Sequence, residues 1–326
     1  LYIEEEVLDH PRTREICKRF PKIKPVVCKH YGEIFNRRSQ NFRLQKNRPS
    51  LILAQKHNNF VLEAPQGYGI GDNHNYYFSH MMNCVYDCRY CFLQGMYRSA
   101  NYVLFVNYED FGEKIARQSK SLSDQQITFF SGYDCDSLAL DPVSKFTDYI
   151  LPLFRSLPNA CLELRTKSTQ VRKLLDTEPF DNCVVAFSFS PDVIASSLEH
   201  KAPSVRKRLD SLWKLQQRVW KIGLRFDPLI YHDGFTDTYE TLFRDVLNAV
   251  SVDQLHSVSL GTFRMPDSFF KNVVNLYPDE KLFAGPLEKN NGMVSYQKEI
   301  EQEMVSTCTE KIMEYVPEHL LYKCVV

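Results

Sequence analysis

The chain has 326 residues, 44% of them hydrophobic and 25% charged, with Lys+Arg and Asp+Glu both at 40. That length allows one large globular domain or two modest ones, and the balanced charge neither suggests nor excludes nucleic-acid binding, because a basic patch can hide in a neutral total. No apolar run approaches the roughly 18 residues of a membrane helix, and ten cysteines without framework spacing ask for a reducing compartment, so a soluble cytoplasmic protein with no membrane partner is expected.

Residues 1–75 read as a small N-terminal α/β region. Strand formers occur at 1–7, 23–27 and 50–53, and Pro11 sits in the first turn of a short helix. Between the last two strands lies RRSQNFRLQKNR, residues 37–48, with five positive charges and no acid. It reads as a solvated loop or as an edge that faces phosphate. From residue 76 a rhythm sets in. Strands are expected at 76–82, 126–131, 161–166, 183–189, 224–230 and 255–263. Helices follow them at 108–118, 142–157, 169–175, 205–222, 239–250 and 266–276. Trp213 and Trp220 are expected in the core. Strict alternation argues a parallel sheet covered by helices, and right-handed crossovers curl six units into a partial (β/α)6 barrel over 76–277. Residues 278–326 read as a C-terminal helical extension, with a helix at 296–314 whose Ile300, Met304, Cys308 and Ile312 form one stripe.

Parallel barrels put their sites at the C-terminal ends of the strands. The loop after the first strand carries Cys84, Cys88 and Cys91 as C-x3-C-x2-C, with Tyr90 and Phe92 around the third. Thiolates select zinc, copper(I) or iron–sulfur clusters. Three close ligands with no local fourth suit a [4Fe–4S] cluster that leaves one iron open to S-adenosylmethionine. A zinc site completed from afar, or buried thiols with no ligand role, are the other readings. Further polar groups at strand ends are Gly132, Tyr133 and Cys135, then Arg165 and Lys167, then Ser188 and Ser190. Arg225 and Asp227 follow on strand five, and His256 and Arg264 flank strand six. Such groups are tolerated in an apolar barrel if they meet ligand, water or one another. Arg225 paired with Asp227 is as good an expectation as ligand contact. Of the histidines, His74 and His80 alone merit attention as neighbours of the cysteine loop.

The chain resembles the spore photoproduct lyase family of the radical S-adenosylmethionine superfamily. The resemblance rests on residues 1–16 (LYIEEEVLDHPRTREI), 51–54 (LILA), 84–94 (CVYDCRYCFLQ), 102–107 (YVLFVN) and 164–167 (LRTK), and on 187–194 and 224–230. It implies a [4Fe–4S] cluster on Cys84, Cys88 and Cys91, and S-adenosylmethionine cleaved to methionine and a 5′-deoxyadenosyl radical. That radical takes hydrogen from a thymine-dimer lesion in DNA, the crosslink breaks, and a protein donor returns a hydrogen. Lys167 resembles the partner of the cofactor carboxylate, Gly132 and Ser188 (with Ser190 nearby) resemble cofactor contacts, and Tyr90 resembles the aromatic beside its adenine. Substrate contacts fall to Arg225, Asp227 and Arg264, with Arg37, Arg38 and Arg43 as further candidates for DNA. A ferredoxin or flavodoxin would supply electrons.

Two departures stand out. Tyr133 occupies the place of the family's donor cysteine, with Cys135 two residues on, and Phe92 replaces a tyrosine after the third cluster cysteine. The tail departs too, adding a helix where a basic, aromatic hairpin is typical. Three functions therefore compete: a radical enzyme acting on damaged DNA, one acting on RNA, a peptide or a small molecule, and a non-catalytic metal-binding module.

Overall fold

The computed structural model describes residues 1–65, 67–71 and 74–324. Among the described residues seven parallel strands form the main sheet: β1 (His74–Phe78), β2 (Ile127–Ser131), β3 (Ala160–Thr166), β4 (Cys183–Ser188), β5 (Lys221–Leu229), β6 (Leu255–Thr262) and β7 (Leu321–Lys323). They lie side by side in chain order, with Leu62–Glu63 antiparallel on the free edge of β1. Every residue of β2 and β4 is buried. That is why these strands read as continuous apolar runs: a parallel sheet is covered on both faces. The crossover helices present one stripe each. Tyr108, Phe111 and Ile115 are buried on Tyr108–Ser121; Phe146, Ile150 and Phe154 are buried on Phe146–Arg155.

The expected partial barrel is present, with differences that have local causes. The expected 76–82 strand is two strands. His74–Phe78 joins the barrel, while Met81–Met82 pairs antiparallel with Tyr102–Phe105 in a second sheet. The expected 142–157 helix breaks at Lys145, whose φ of 55° is left-handed. Asp141 repairs the break by accepting from Thr147 N (2.9 Å) and Thr147 Oγ1 (2.6 Å). The expected 205–222 helix stops at Gln217, and β5 already begins at Lys221. Trp220 is core, its Nε1 donating to Leu174 O (3.1 Å), whereas Trp213 is 54% exposed and is not core.

The second sheet orders Val26–Cys28, Tyr2–Glu4, Leu51–Ala54, Tyr102–Phe105 and Met81–Met82. Its last two strands flank the cysteine loop: the strand after it, Tyr102–Phe105, pairs with Leu51–Ala54 of the N-terminal region and with Met81–Met82, the strand before it. The C-terminal stretch is more than helix. A hairpin, Leu287–Asn290 with Met293–Tyr296, precedes Lys298–Met313, and β7 then closes onto β6. Met304, Cys308 and Ile312 are buried as a packing stripe. Among the described residues no helix is long and apolar enough to cross a membrane.

Candidate active site at the cysteine loop

One cavity of about 640 Å³ opens at the C-terminal ends of the strands. Its size falls in the usual range of small-molecule sites, roughly 300–1,000 Å³. Cys84, Cys88 and Cys91 all line it, beside Tyr90 and Phe92. Asn83 starts the loop in a left-handed conformation (φ 72°), and its Nδ2 donates to Ser99 O (2.6 Å) and Asn101 O (2.8 Å). One side chain therefore ties the loop's entry to its exit. The helix Asp267–Leu276 packs over the loop at Gly95, where any Cβ would lie 2.2 Å from Phe269 O. On the far side Glu199 and His200 pair antiparallel with Cys88 and Asp87.

Burial pushes all three thiols up, Cys84 to about 12 with nearby Asp136 adding to the effect. Lys167 opposes the rise at Cys88 and Cys91, so a cation already stands where thiolates would need one. Among the described residues no three His, Cys, Asp or Glu side chains stand close enough to hold a single metal ion. Three soft thiols spread over one cavity wall suit a larger group that presents several metal corners, and the donor set fits an iron–sulfur cluster.

The other expected residues divide. Gly132, Tyr133, Cys135, Lys167 and Ser188 line the cavity. Gly132 has φ +88°, and a Cβ there would meet Ser137 Oγ at 2.6 Å and Cys135 O at 2.9 Å. Only glycine lets the loop after β2 turn so tightly. Tyr133 packs against Tyr77 with ring centroids 4.3 Å apart and planes tilted by 30°, and lies 5.4 Å from Phe92. Burial and the neighbouring Tyr77 and Tyr68 hydroxyls push its phenol up to about 12. Cys135 is buried, and desolvation with Cys84 nearby raises its thiol well above the ordinary value, so it stays S–H. Asp227 and Arg264 also face the cavity, joined by contacts of 3.2 Å, and Arg264 Nε donates to Tyr68 Oη (2.9 Å).

Three expectations need correction. Arg225 does not reach the cavity and does not pair with Asp227. It is 1% exposed, and its donors go to Glu163 (2.6 and 3.1 Å), to Ser257 Oγ and O (2.9 and 3.1 Å) and to Leu224 O. A guanidinium taken out of water must be saturated, and the buried Glu163 saturates it. Ser190 lies behind the cavity wall, donating to Glu199 Oε1 (3.1 Å). His80 is a core ring rather than a ligand, stacked on Phe146 at 3.8 Å with planes 2° apart.

The model of the spore photoproduct lyase family matches residues 70–322. The chain belongs to that family. Spore photoproduct lyases of Bacillus subtilis (strain 168) and Clostridium acetobutylicum are 22% and 19% identical over 86% of this chain, and 83% and 82% of their own lengths. Among solved structures, a cysteine-to-serine mutant of spore photoproduct lyase matches with TM-score 0.86. A double mutant with bound AdoMet and dinucleoside spore photoproduct matches with 0.85. Each is 18% identical and covers 99% of this chain and 97% of its own, which shows a shared fold. Coverage of that extent also corrects the tail. The C-terminal elements belong to the family fold and are not an addition to it, and a hairpin is present after all.

Sequence reasoning missed the group that braces the site. Glu199 is buried and accepts from Tyr90 Oη, Arg208 Nη2 and Ser190 Oγ, with Lys167 Nζ at 3.9 Å. Desolvation would raise its carboxyl, but Lys167 and Arg208 hold it below the ordinary range. No local motif marks Glu199, because its role arises from a two-residue strand that pairs across the fold. Tyr68 and Tyr77 were missed too; Tyr77 follows the strand pattern toward the mouth of the barrel.

Proposed function

We propose that this chain repairs the thymine dimer of ultraviolet-damaged DNA, 5-thyminyl-5,6-dihydrothymine, by radical chemistry in this cavity. The observation that carries the reading is a single space walled by three cysteines, by Lys167 and by the hydrogen-bearing Tyr133 and Cys135. When bound, an iron–sulfur cluster on Cys84, Cys88 and Cys91 supplies the electron that splits S-adenosylmethionine and starts the radical reaction.

The protein's own groups do the rest. Lys167, steadied by Glu199, offers an ammonium to the cofactor carboxylate. Gly132 allows its loop to approach the cofactor without a side chain in the way, Ser188 offers a hydroxyl, and Tyr90 offers a ring face beside the adenine. Asp227 and Arg264 form the polar wall that orients the lesion, which enters splayed out of the duplex as in other base-repair enzymes. Substrate and cofactor filling this cavity would keep solvent from a reactive intermediate. Hydrogen returns to the product from the loop that carries Tyr133 and Cys135. A protein one-electron donor serves the site, and free thiols throughout the chain suit the reducing cytoplasm.

Anaerobic reconstitution with iron and sulfide, then dithionite and S-adenosylmethionine with ultraviolet-treated DNA, tests this reading. It expects 5′-deoxyadenosine and restored thymine together. Deoxyadenosine without thymine would keep the radical chemistry and discard the substrate. The hydrogen donor is tested separately, with Cys135→Ala and Tyr133→Phe. The variant that still cleaves the cofactor but accumulates wrongly terminated product identifies the donor; clean product from both removes the role from this loop.

A further inference from the structure

The cationic stretch at 37–48 is left without a role by the cavity, since none of its residues lines that space. It is nevertheless bound tightly to the cysteine loop. Gln45 Oε1 accepts from Ala100 N (2.9 Å) at the loop's exit, and the buried Lys46 ammonium lies 3.4 Å from Asp87. Lys201 Nζ donates to the carbonyl of Lys46 (2.8 Å).

The loop has two faces. Cys84, Tyr86, Cys88, Tyr90 and Cys91 line the cavity, whereas Asp87 and Arg89, interleaved with them, do not. Arg89 instead reaches Asp87 at 2.9 Å, stacks 3.8 Å over the Tyr277 ring and approaches Glu280 at 3.9 Å. On this outer face the loop is covered by Lys46, Arg89 and Tyr277. The stretch that carries Lys46 also carries the exposed Arg37, Arg38, Arg43 and Arg48; Arg43 stands near enough to Tyr277 to act on its phenol, and the exposed Lys201 meets Lys46 O. Of the acids nearby, Asp87 is buried between Lys46 and Arg89, Glu280 is half-buried against Arg89, and Asp279 is exposed.

We propose that this outer face is where the electron enters, by docking an acidic one-electron carrier protein. The proposal rests on the iron–sulfur reading above and goes beyond it by naming a surface. The carrier is oxidised by one electron and the iron–sulfur group is reduced by one, through a covering of few side chains and without using the cavity that substrate fills. A positive field around the approach speeds encounter with an anionic partner and makes it salt-sensitive. DNA is also a polyanion, but its lesion must reach the cavity, and the cationic stretch contributes nothing to that wall.

The test compares the wild-type chain with an Arg43→Glu/Arg48→Glu variant, both exposed positions away from the cavity. The probes are an acidic flavodoxin, dithionite, and a duplex oligonucleotide. The proposal expects flavodoxin binding by calorimetry to weaken by roughly tenfold or more, and wild-type binding to fade with salt. Reduction by photoreduced flavodoxin should slow to match, while reduction by dithionite and affinity for the duplex stay unchanged. Equal flavodoxin binding by both proteins, or a larger loss for the duplex than for flavodoxin, overturns it. If dithionite fails to reduce even the wild type, the iron–sulfur reading fails instead, and the calorimetric comparison still judges the surface.

Discussion

Glu163 is buried and pairs with two guanidiniums, Arg225 shut inside the barrel and Arg165 on the cavity wall, where it is partly exposed. Burial alone would raise its carboxyl, but Arg225 and Arg165 hold it at about 2, below the ordinary 4.5. A carboxyl lowered by folding stabilises the fold above its unfolded value, and that contribution is lost as pH falls from about 4.5 toward about 2. Glu163→Gln should cost about 3–5 kcal/mol in urea unfolding near neutral pH, because it strands a buried cation. It should also flatten the acid slope across that window. His80 works in the opposite sense of charge. Burial lowers its ring from 6.5 to about 3, so the folded state refuses a proton that the unfolded chain takes. Stability should fall by up to about 1.4 kcal/mol per pH unit below 6.5, and His80→Phe should remove that slope. An unchanged slope in the variant would mean that His80 is not the group responsible.

At the scale of elements, the cysteine loop is short of regular structure and is held by its ends. Asn83 makes the tie, with a left-handed backbone that Asn tolerates better than most residues and two buried donors on Ser99 and Asn101. Asn83→Ala should leave two carbonyls unpaired and cost about 1–3 kcal/mol. The informative readout is iron and sulfide retained per chain. It should fall severalfold while far-UV circular dichroism stays constant; full retention would show that the loop does not depend on this tie. The pairing of Glu199 with Cys88 clamps the same loop from the opposite side, so the loop's geometry depends on two separate parts of the chain.

For the molecule as a whole, β7 is the feature to probe. It pairs in parallel with β6, and Cys324 N extends the ladder to Leu260 O (2.8 Å). Without it β6 becomes an open edge, which invites pairing with another chain. A chain ending at Val316 should therefore lose several degrees of melting temperature and show concentration-dependent light scattering. Equal melting and no scattering would make β7 dispensable. The helix Lys298–Met313 remains in that truncation, so its buried stripe is not what the experiment reads.

The sequence alone determined the elements that local physics controls. Apolar strands alternating with striped helices specified a parallel barrel, and C-x3-C-x2-C within one loop specified the soft-ligand wall, because spacing and donor type are both local. Phe92 and Tyr133 stood out only against the family that the chain resembles, since neither spacing nor donor type marks them. Only the tertiary structure decided which polar groups face the cavity. Arg225 and Asp227 are two residues apart on one strand, yet one is locked inside on Glu163 and the other meets Arg264 at the opening. Glu199 and Lys46 gained their roles from partners 109 and 41 residues away in the chain, Tyr90 by its hydroxyl and Asp87 by its carboxylate. The desolvation that makes such pairs obligatory exists only once the chain has closed around them.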